Sequence, residues 1–447
     1  MTDARCRAVQ NANFPITSHA MTQPSEQSAF RPTPQDKPMP LAEARARIVD
    51  AITPITDIEQ VPLPAALHRV LAEQVTAGVD VPGADNSSMD GYGYRAADAE
   101  QDGATLHVVG ESLAGHPFVG RLGAGECVRI MTGAVVPEGV DTVVMQENTR
   151  AEDEQVVIEK RPAPGSNIRL AGEDLKAGAT VLAAGHYLRP ADISVLASVG
   201  VSEVSVVRRP KVAFFSTGDE LRPIDGPAGR SLAPGEIYDS NRYGLAALLS
   251  DLGMEGVDLG VVGDSREALR DAFAEAAAYD AVVTSGGVSV GAADFVLDVL
   301  GEQGTVDFWR VAIKPGKPLA FGTVGNARFF GLPGNPVSTA VTFIQLVRPA
   351  LVRMAGGVPA DPIRFALPTT ADLRKNPGRE NFLRARLVTH AGRAAVEPVD
   401  HQGSGVMRSM SRSDCFIVLP AEQSDVPAGE IVPVEPFAQT IWGQPDE

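Results

Sequence analysis

The spacing of apolar residues changes character three times along the chain. Leu41, Ala44, Ile48 and Ile52 recur at helical intervals, and Thr53-Pro54 closes the run, so an amphipathic helix is predicted to open at Pro40. From there to about Val207 the text breaks into short β-like runs between Gly and Pro. Thr105–Val109, Asp141–Met145 and Gln155–Glu159 are examples, and together they predict an elongated, β-rich region without a doubly wound core. Beyond Arg209-Pro210 strands alternate with helices. Lys211–Phe215 reads as a buried strand, and Leu245, Leu248, Leu249 and Leu252 share one face of a helix that starts near Ser240 and stops at Gly253. Val257–Val262 and Asp280–Thr284 are further strands. Between them Asp264 and Glu267 match a capping pattern for a helix through Leu269 and Phe273. Two more strands near Thr305–Ile313 and Ala327–Gly331 precede a helix from about Pro336. This alternation predicts a mostly parallel sheet, with ligands outside the carboxyl ends of its strands. After about Gly357 short strands return, so a small C-terminal β domain is expected.

Composition adds exclusions. The 39 Lys and Arg against 56 Asp and Glu leave a net charge of −17, which disfavours nucleic acid and anionic membranes as partners. Any anionic substrate therefore needs a local cationic pocket. No apolar run approaches the ~20 residues that cross a bilayer. Cys6, Cys127 and Cys415 are scattered, which argues against a zinc site or a disulfide framework and suits a reducing cytoplasm. Residues 1–38, rich in Pro, Gln, Ser and Thr, read as a disordered tail without a signal-peptide stretch. Met1 and Met21 both stand as possible starts.

Three kinds of motif carry chemistry. Thr284–Gly291, followed by Asp294, leaves a strand for a helix. Gly286, Gly287 and Gly291 free the backbone to approach an anion at the positive helix end. Alone, the loop is equally a tight turn. Second, Val311–Pro318 fixes Lys314 and Lys317 between prolines and a glycine just after Arg310, and Gly331–Ser338 follows. There Asn335 suits a helix cap, Pro336 the first turn, and Ser338 offers a hydroxyl. Third come carboxylates suited to Mg²⁺ and phosphate: Asp90, Asp174, Glu220, Asp264 and Asp294. Each has a plainer reading, with Asp90-Gly91 a turn dipeptide, Asp174 a loop acid and Asp264 a cap.

In this order NSSMDGY (86–92), IMTGA (130–134), STGDEL (216–221), SGGVSVG (285–291), IKPGKP (313–318) and GLPGNPVS (331–338) resemble the molybdopterin molybdenumtransferase family. That family includes a bacterial enzyme and the matching domain of gephyrin-like proteins, and the resemblance spans about Pro40 to Pro436. It implies an α/β fold with β-rich domains, in four domains. These would be 39–58 with 175–208 (elongated domain I), 59–174 (β-rich domain II), 209–356 (central α/β domain III) and 357–440 (β-barrel-like domain IV). It further implies a cytoplasmic homodimer with an active site shared between subunits.

On the same resemblance, Ser285, Gly286, Gly287, Ser289, Gly291 and Asp294 would hold an adenylylated pterin, with Glu220 and Asp264 beside them. Glu220, Asp264 and Asp294 would also hold Mg²⁺. Asp90, Thr132 and Asp174 would come from the partner. Lys314, Lys317, Pro318 and Ser338, with Arg379 and Ser404 from two C-terminal motifs, would bind molybdate. A dianion calls for such fixed cationic donors. Arg310 stands where the family resemblance leads one to expect Lys, which keeps the charge but alters the donor geometry. The implied reaction inserts molybdenum from molybdate and releases AMP. Two other readings stay open: a molybdopterin adenylyltransferase on a related fold, and a non-catalytic gephyrin-like scaffold.

Overall fold

The computed structural model describes residues 37–224, 231–287, 293–437 and 442–443. The expected tail falls almost wholly outside them, as do Ser289 and Gly291. Leu41–Asp50 is helical, with Leu41, Ala44 and Ile48 buried, as the apolar spacing predicts.

The chain then builds paired ribbons before the larger sheets. Ile58–Pro62 lies antiparallel to Glu203–Val207, and Val75–Thr76 to Thr180–Leu182. Between these halves runs a six-stranded sheet ordered Thr142–Met145, Gly91–Tyr94, Glu126–Ile130, Ala104–Ser112, Gln155–Ile158, Thr149–Glu152. It has a small core of its own, around Tyr94, Leu106, Cys127, Val144, Val156 and Ile158. Burial pushes the Cys127 thiol up to about 12, so it stays an inert apolar filler.

The central sheet runs in the order Glu255–Val262, Lys211–Thr217, Ala281–Ser285, Ala327–Leu332, Pro318–Val324, Gly304–Arg310. Its first four strands are parallel and Pro318–Val324 runs against its neighbours. Because side chains alternate, Val212 and Phe214 enter one core while Ala213 and Phe215 enter the other. Phe273 stacks edge-on between Phe215 and Phe329, with ring centroids 5.4 and 5.7 Å apart. Each such buried ring contributes roughly 1.5–3 kcal/mol by area.

Three local expectations shift here. The cap of the Arg266–Ala276 helix is Ser265, whose hydroxyl accepts the Ala268 N–H, so Asp264 stands one residue outside it. Asn335 holds the cap position of Pro336–Thr342 but makes no side-chain capping bond. The Lys317-Pro318 segment feeds a strand, Pro318–Val324, that a Pro start and Gly322 conceal in the sequence.

The first core also takes in Leu41, Ala44 and Ile48 of the N-terminal helix and Phe382, Phe416 and Val418 of the C-terminal sheet. That sheet is ordered Ile313–Lys314, Glu380–His390, Cys415–Leu419, Ile431–Pro436, Phe365–Pro368, so the central domain supplies its edge strand. Polar bonds reinforce the junction. Arg45 donates to the Gln345 amide oxygen at 2.6 Å, Gln345 donates to Glu435 at 2.6 Å, and Arg364 bridges Glu435 and Glu380. The C-terminal domain is therefore docked on the α/β domain through a shared core and a polar network.

Candidate functional site

The edge strand carries the IKPGKP loop into that junction. The Val311 N–H bonds the Lys317 carbonyl at 2.8 Å, closing the loop on itself, and the Glu380 N–H bonds Ala312 O at 2.8 Å. Gly316 takes φ +106°, and a Cβ there would lie 2.5 Å from the buried Thr342 hydroxyl. From the other side, the Ser404 carbonyl accepts the Val337 N–H at 3.0 Å in the first turn of Pro336–Thr342. Lys314, Lys317, Ser338, Arg379 and Ser404 consequently line one cleft of about 830 Å³, where Asp372 and Asp400 also face.

Lys317 shows how concentrated the positive charge is. Partial burial holds its ammonium below the ordinary lysine range, and the charges of Arg310 and Arg379 press it further down. Arg310 thus belongs electrostatically to the cleft, from the end of Gly304–Arg310, where it pairs in register with Pro318. Pro318 itself opens the strand and does not line the cleft. A rigid cluster of cations and hydroxyls can bind a compact dianion through charge-assisted bonds.

A second cluster sits at the carboxyl ends of the parallel strands, where such sheets place ligands. Ser285 is buried and its hydroxyl accepts from Asn241, which also donates to Gly334 O at 2.7 Å. Asn241 thereby ties the glycine loop to the GLPGNPVS loop. Gly286 and Gly287 take φ +98° and +70°, and a Cβ on Gly286 would meet Thr217 O at 2.6 Å. Beneath them the Thr217 hydroxyl is buried, without a partner among the described residues. Nearby, the Asp264 N–H donates to Asp219 Oδ1 at 3.1 Å. Although Asp264 is exposed at the surface, partial desolvation raises its carboxyl above its ordinary value, and the negative charges of Asp219 and Glu220 add to the rise. Among the described residues no Lys or Arg side chain pairs with these three acids, and no set of three His, Cys, Asp or Glu encloses a metal site. Asp294 is described only as a position on the Ala293–Gln303 helix.

The third pair flanks the N-terminal sheet, Asp90 just before Gly91–Tyr94 and Thr132 just after Glu126–Ile130. Asp90 Oδ1 accepts the Thr132 N–H at 2.8 Å and the Thr132 hydroxyl at 2.7 Å, which hold its carboxyl below the usual range. Gly91 belongs to a strand rather than a free turn, and a Cβ there would collide with Val144 O at 1.8 Å. Asp174 is exposed, its N–H bonded to Val81 O at 3.0 Å. Among the described residues no hydrogen bond or ion pair joins Asp90, Thr132 or Asp174 to the α/β domain.

Three family models match in chain order: the MoeA N-terminal region (domain I and II) at residues 39–200, the probable molybdopterin binding domain at 213–353, and the MoeA C-terminal region (domain IV) at 366–437. A molybdopterin molybdenumtransferase of Haemophilus influenzae is 44% identical over 89% of this chain and 98% of its own length. The chain belongs to the molybdopterin molybdenumtransferase family. One from Nostoc sp. is 38% identical, over 88% of this chain and 93% of that one. Among solved structures, the molybdopterin biosynthesis MoeA protein of Pyrococcus horikoshii aligns with a TM-score of 0.75 at 30% identity, covering 90% of this chain and all of that one. The family fold is thus present across the whole described region, and its central domain is the one that carries the glycine loop.

Some residues that shape these clusters gave little sign of it in the sequence. Thr217 was at least inside a motif (STGDEL). Asp219 shares that motif, whereas Asn241 and Arg384 are ordinary polar letters until the fold brings them to the loops.

Proposed function

We propose that this protein inserts molybdenum into molybdopterin, taking molybdate as the oxyanion and an adenylylated pterin as the acceptor, with release of AMP. The supporting observation is the single cleft that gathers Lys314, Lys317, Ser338, Arg379 and Ser404 from four separate segments of an acidic chain. The two lysines and Arg379 neutralise the dianion, while Ser338 and Ser404 donate hydroxyl bonds that fix its orientation. The glycine loop holds the pterin nucleotide: the backbone at Gly286 and Gly287 comes close to the ligand, and the Thr217 hydroxyl beneath, without a partner among the described residues, bonds it.

Asp219, Glu220 and Asp264 suit a hard cation by donor chemistry, since all are oxygen donors, desolvation and their mutual repulsion raise Asp264, and among the described residues no side-chain cation offsets them. Glu220, Asp264 and Asp294 would hold Mg²⁺ there. When bound, Mg²⁺ neutralises charge developing on the phosphoanhydride. Two or three protein carboxylates suffice where substrate phosphate and water complete the shell. Asp90, Thr132 and Asp174 lie in the N-terminal part of the chain, away from the central sheet, and we assign them to the site of a partner subunit in a homodimer, working in the cytoplasm.

The test is AMP release from adenylylated molybdopterin with Mg²⁺, with and without molybdate, for wild type and Lys317→Ala. Molybdate-dependent release, with the molybdate KM raised about ten- to a hundredfold in the variant, is the expected result. No release from the folded wild-type protein would overturn the reading.

A further inference from the structure

Arg384 is only 1% exposed, yet among the described residues no carboxylate pairs with it. It lies on the Glu380–His390 strand and lines the same cleft as Lys314 and Lys317. Its Nε donates to the Ser409 hydroxyl at 3.0 Å and its Nη2 to Gly403 O at 3.2 Å, both neutral acceptors. Burial alone pulls its pKa down to about 10, and it stays charged at neutral pH. A buried cation without a counter-charge costs folding free energy, so its retention calls for a reason.

Its backbone supplies half of that reason. The Arg384 N–H donates to Gln402 Oε1 at 3.0 Å, and Gln402 Nε2 returns a bond to Arg384 O at 2.8 Å. The same amide reaches Val399 O at 2.8 Å. Residues 399–403 are thereby stapled to one strand position, by backbone and guanidinium together. The next residue is Ser404, whose carbonyl caps the first turn of the helix that carries Ser338. The two hydroxyls of the cleft are thus set against each other through a chain that begins at Arg384.

We propose that Arg384 is a positioning residue for the oxyanion. It fixes Ser404 opposite Ser338 through Gln402 and Gly403, and it leaves on the cleft wall a positive charge that an arriving dianion offsets. The inference rests on the oxyanion reading of this cleft given above.

The experiment uses the full chain and inorganic molybdate. Molybdate binding is measured by calorimetry, and AMP release at varied molybdate and varied pterin substrate, for wild type, Arg384→Met, Arg384→Lys, Gln402→Ala and Lys317→Ala. Arg384→Met is expected to raise the Kd and KM for molybdate about tenfold, while kcat at saturating molybdate and the pterin KM stay within about twofold. Arg384→Lys keeps the charge but loses the fork, and falls between the two. A folded Arg384→Met with wild-type molybdate affinity overturns the proposal, as does an equal rise in both KM values. If that variant does not fold, Gln402→Ala decides. A molybdate KM raised at least about threefold supports the staple, and an unchanged one overturns it. Lys317→Ala separates the levels. If it weakens molybdate binding while Arg384→Met does not, only the role of Arg384 falls. If it too leaves binding intact, the cleft reading fails and this inference with it.

Discussion

The cationic cleft and the Asp90 cluster differ in how the fold holds them. Lys314, Lys317, Ser338, Arg379 and Ser404 come from segments locked together by one continuous core, in which Val311, Ile313, Phe382 and Phe416 are all buried. The Arg45–Gln345–Glu435–Arg364 network crosses the same junction. Asp90 and Thr132, by contrast, sit on a sheet with separate small cores around Tyr94 and around Ile130. Asp90 there is half-buried on the rim, with its carboxylate held by one neighbour, Thr132. A single chain completes the part that must resist a repulsive net charge. It leaves Asp90 and Asp174 without a described bond to the α/β domain.

The sharpest break of that comparison is a subunit complementation. Asp90→Asn and Lys317→Ala proteins, each expected to be strongly impaired, are unfolded, mixed and refolded together. If each site draws on two subunits, random pairing leaves about a quarter of the sites intact, and AMP release recovers to that level. Recovery no greater than the sum of the separate variants would return Asp90 to its own chain's chemistry.

Next in size is a pair of glycine substitutions. Gly286→Ala places a Cβ 2.6 Å from the Thr217 carbonyl at φ +98°. Gly133→Ala, beside Thr132, meets nothing within 4 Å at φ +81°. The first is expected to cost on the order of 2–4 kcal/mol and the second about 1 kcal/mol, by denaturant midpoints. Equal costs would mean that the glycine loop is no more rigidly packed than the rim.

Much of this was readable in advance, and for physical reasons. Strand and helix periods announced the α/β domain, since Val212–Phe215 buried on both faces can hardly be anything but a central strand. The cations of the cleft were visible because Lys between Pro and Gly in an acidic chain is a costly arrangement. Arg384 was not. In Phe382-Leu-Arg-Ala385 an arginine reads as an outward, solvated residue, and only the docking of residues 399–409 onto the strand buries it. The N-terminal ribbon was equally hidden, because Ile58 pairs with Val207 across most of two domains and no local pattern reports such a distance. Asp264 misled as a cap because Ser265, one residue on, offers the same chemistry in better geometry.

Asp264→Asn asks how far the acidic cluster resembles the cleft. Its exposed carboxyl is raised by partial desolvation and by Asp219 and Glu220. A raised acid favours the folded state only while protonated, so its contribution fades as pH climbs from the ordinary carboxyl value through the folded one. The variant loses that slope and is expected to unfold slightly later than wild type at neutral pH, in thermal scans. It should also need more Mg²⁺ for half-maximal AMP release. An unchanged Mg²⁺ requirement would remove Asp264 from metal binding and leave it a plain surface acid.

The smallest effect belongs to the rim. Thr132→Val keeps the backbone N–H to Asp90 at 2.8 Å and deletes the hydroxyl bond at 2.7 Å. The backbone bond is the larger cause of the lowered carboxyl, so its pKa should rise only part of the way to the ordinary value, followed by NMR titration. The sign is opposite to that of Asp264. A depressed acid stabilises the fold above its unfolded value and loses that contribution as pH falls through the folded one, so the variant should show a shallower acid limb. A full return to the ordinary value would mean that the hydroxyl, not the backbone, holds the carboxylate. On the oxyanion reading, a donor lost from the cleft is read out as weaker anion binding; at Thr132 it is read out as a proton, because among the described residues its hydroxyl serves the Asp90 carboxylate.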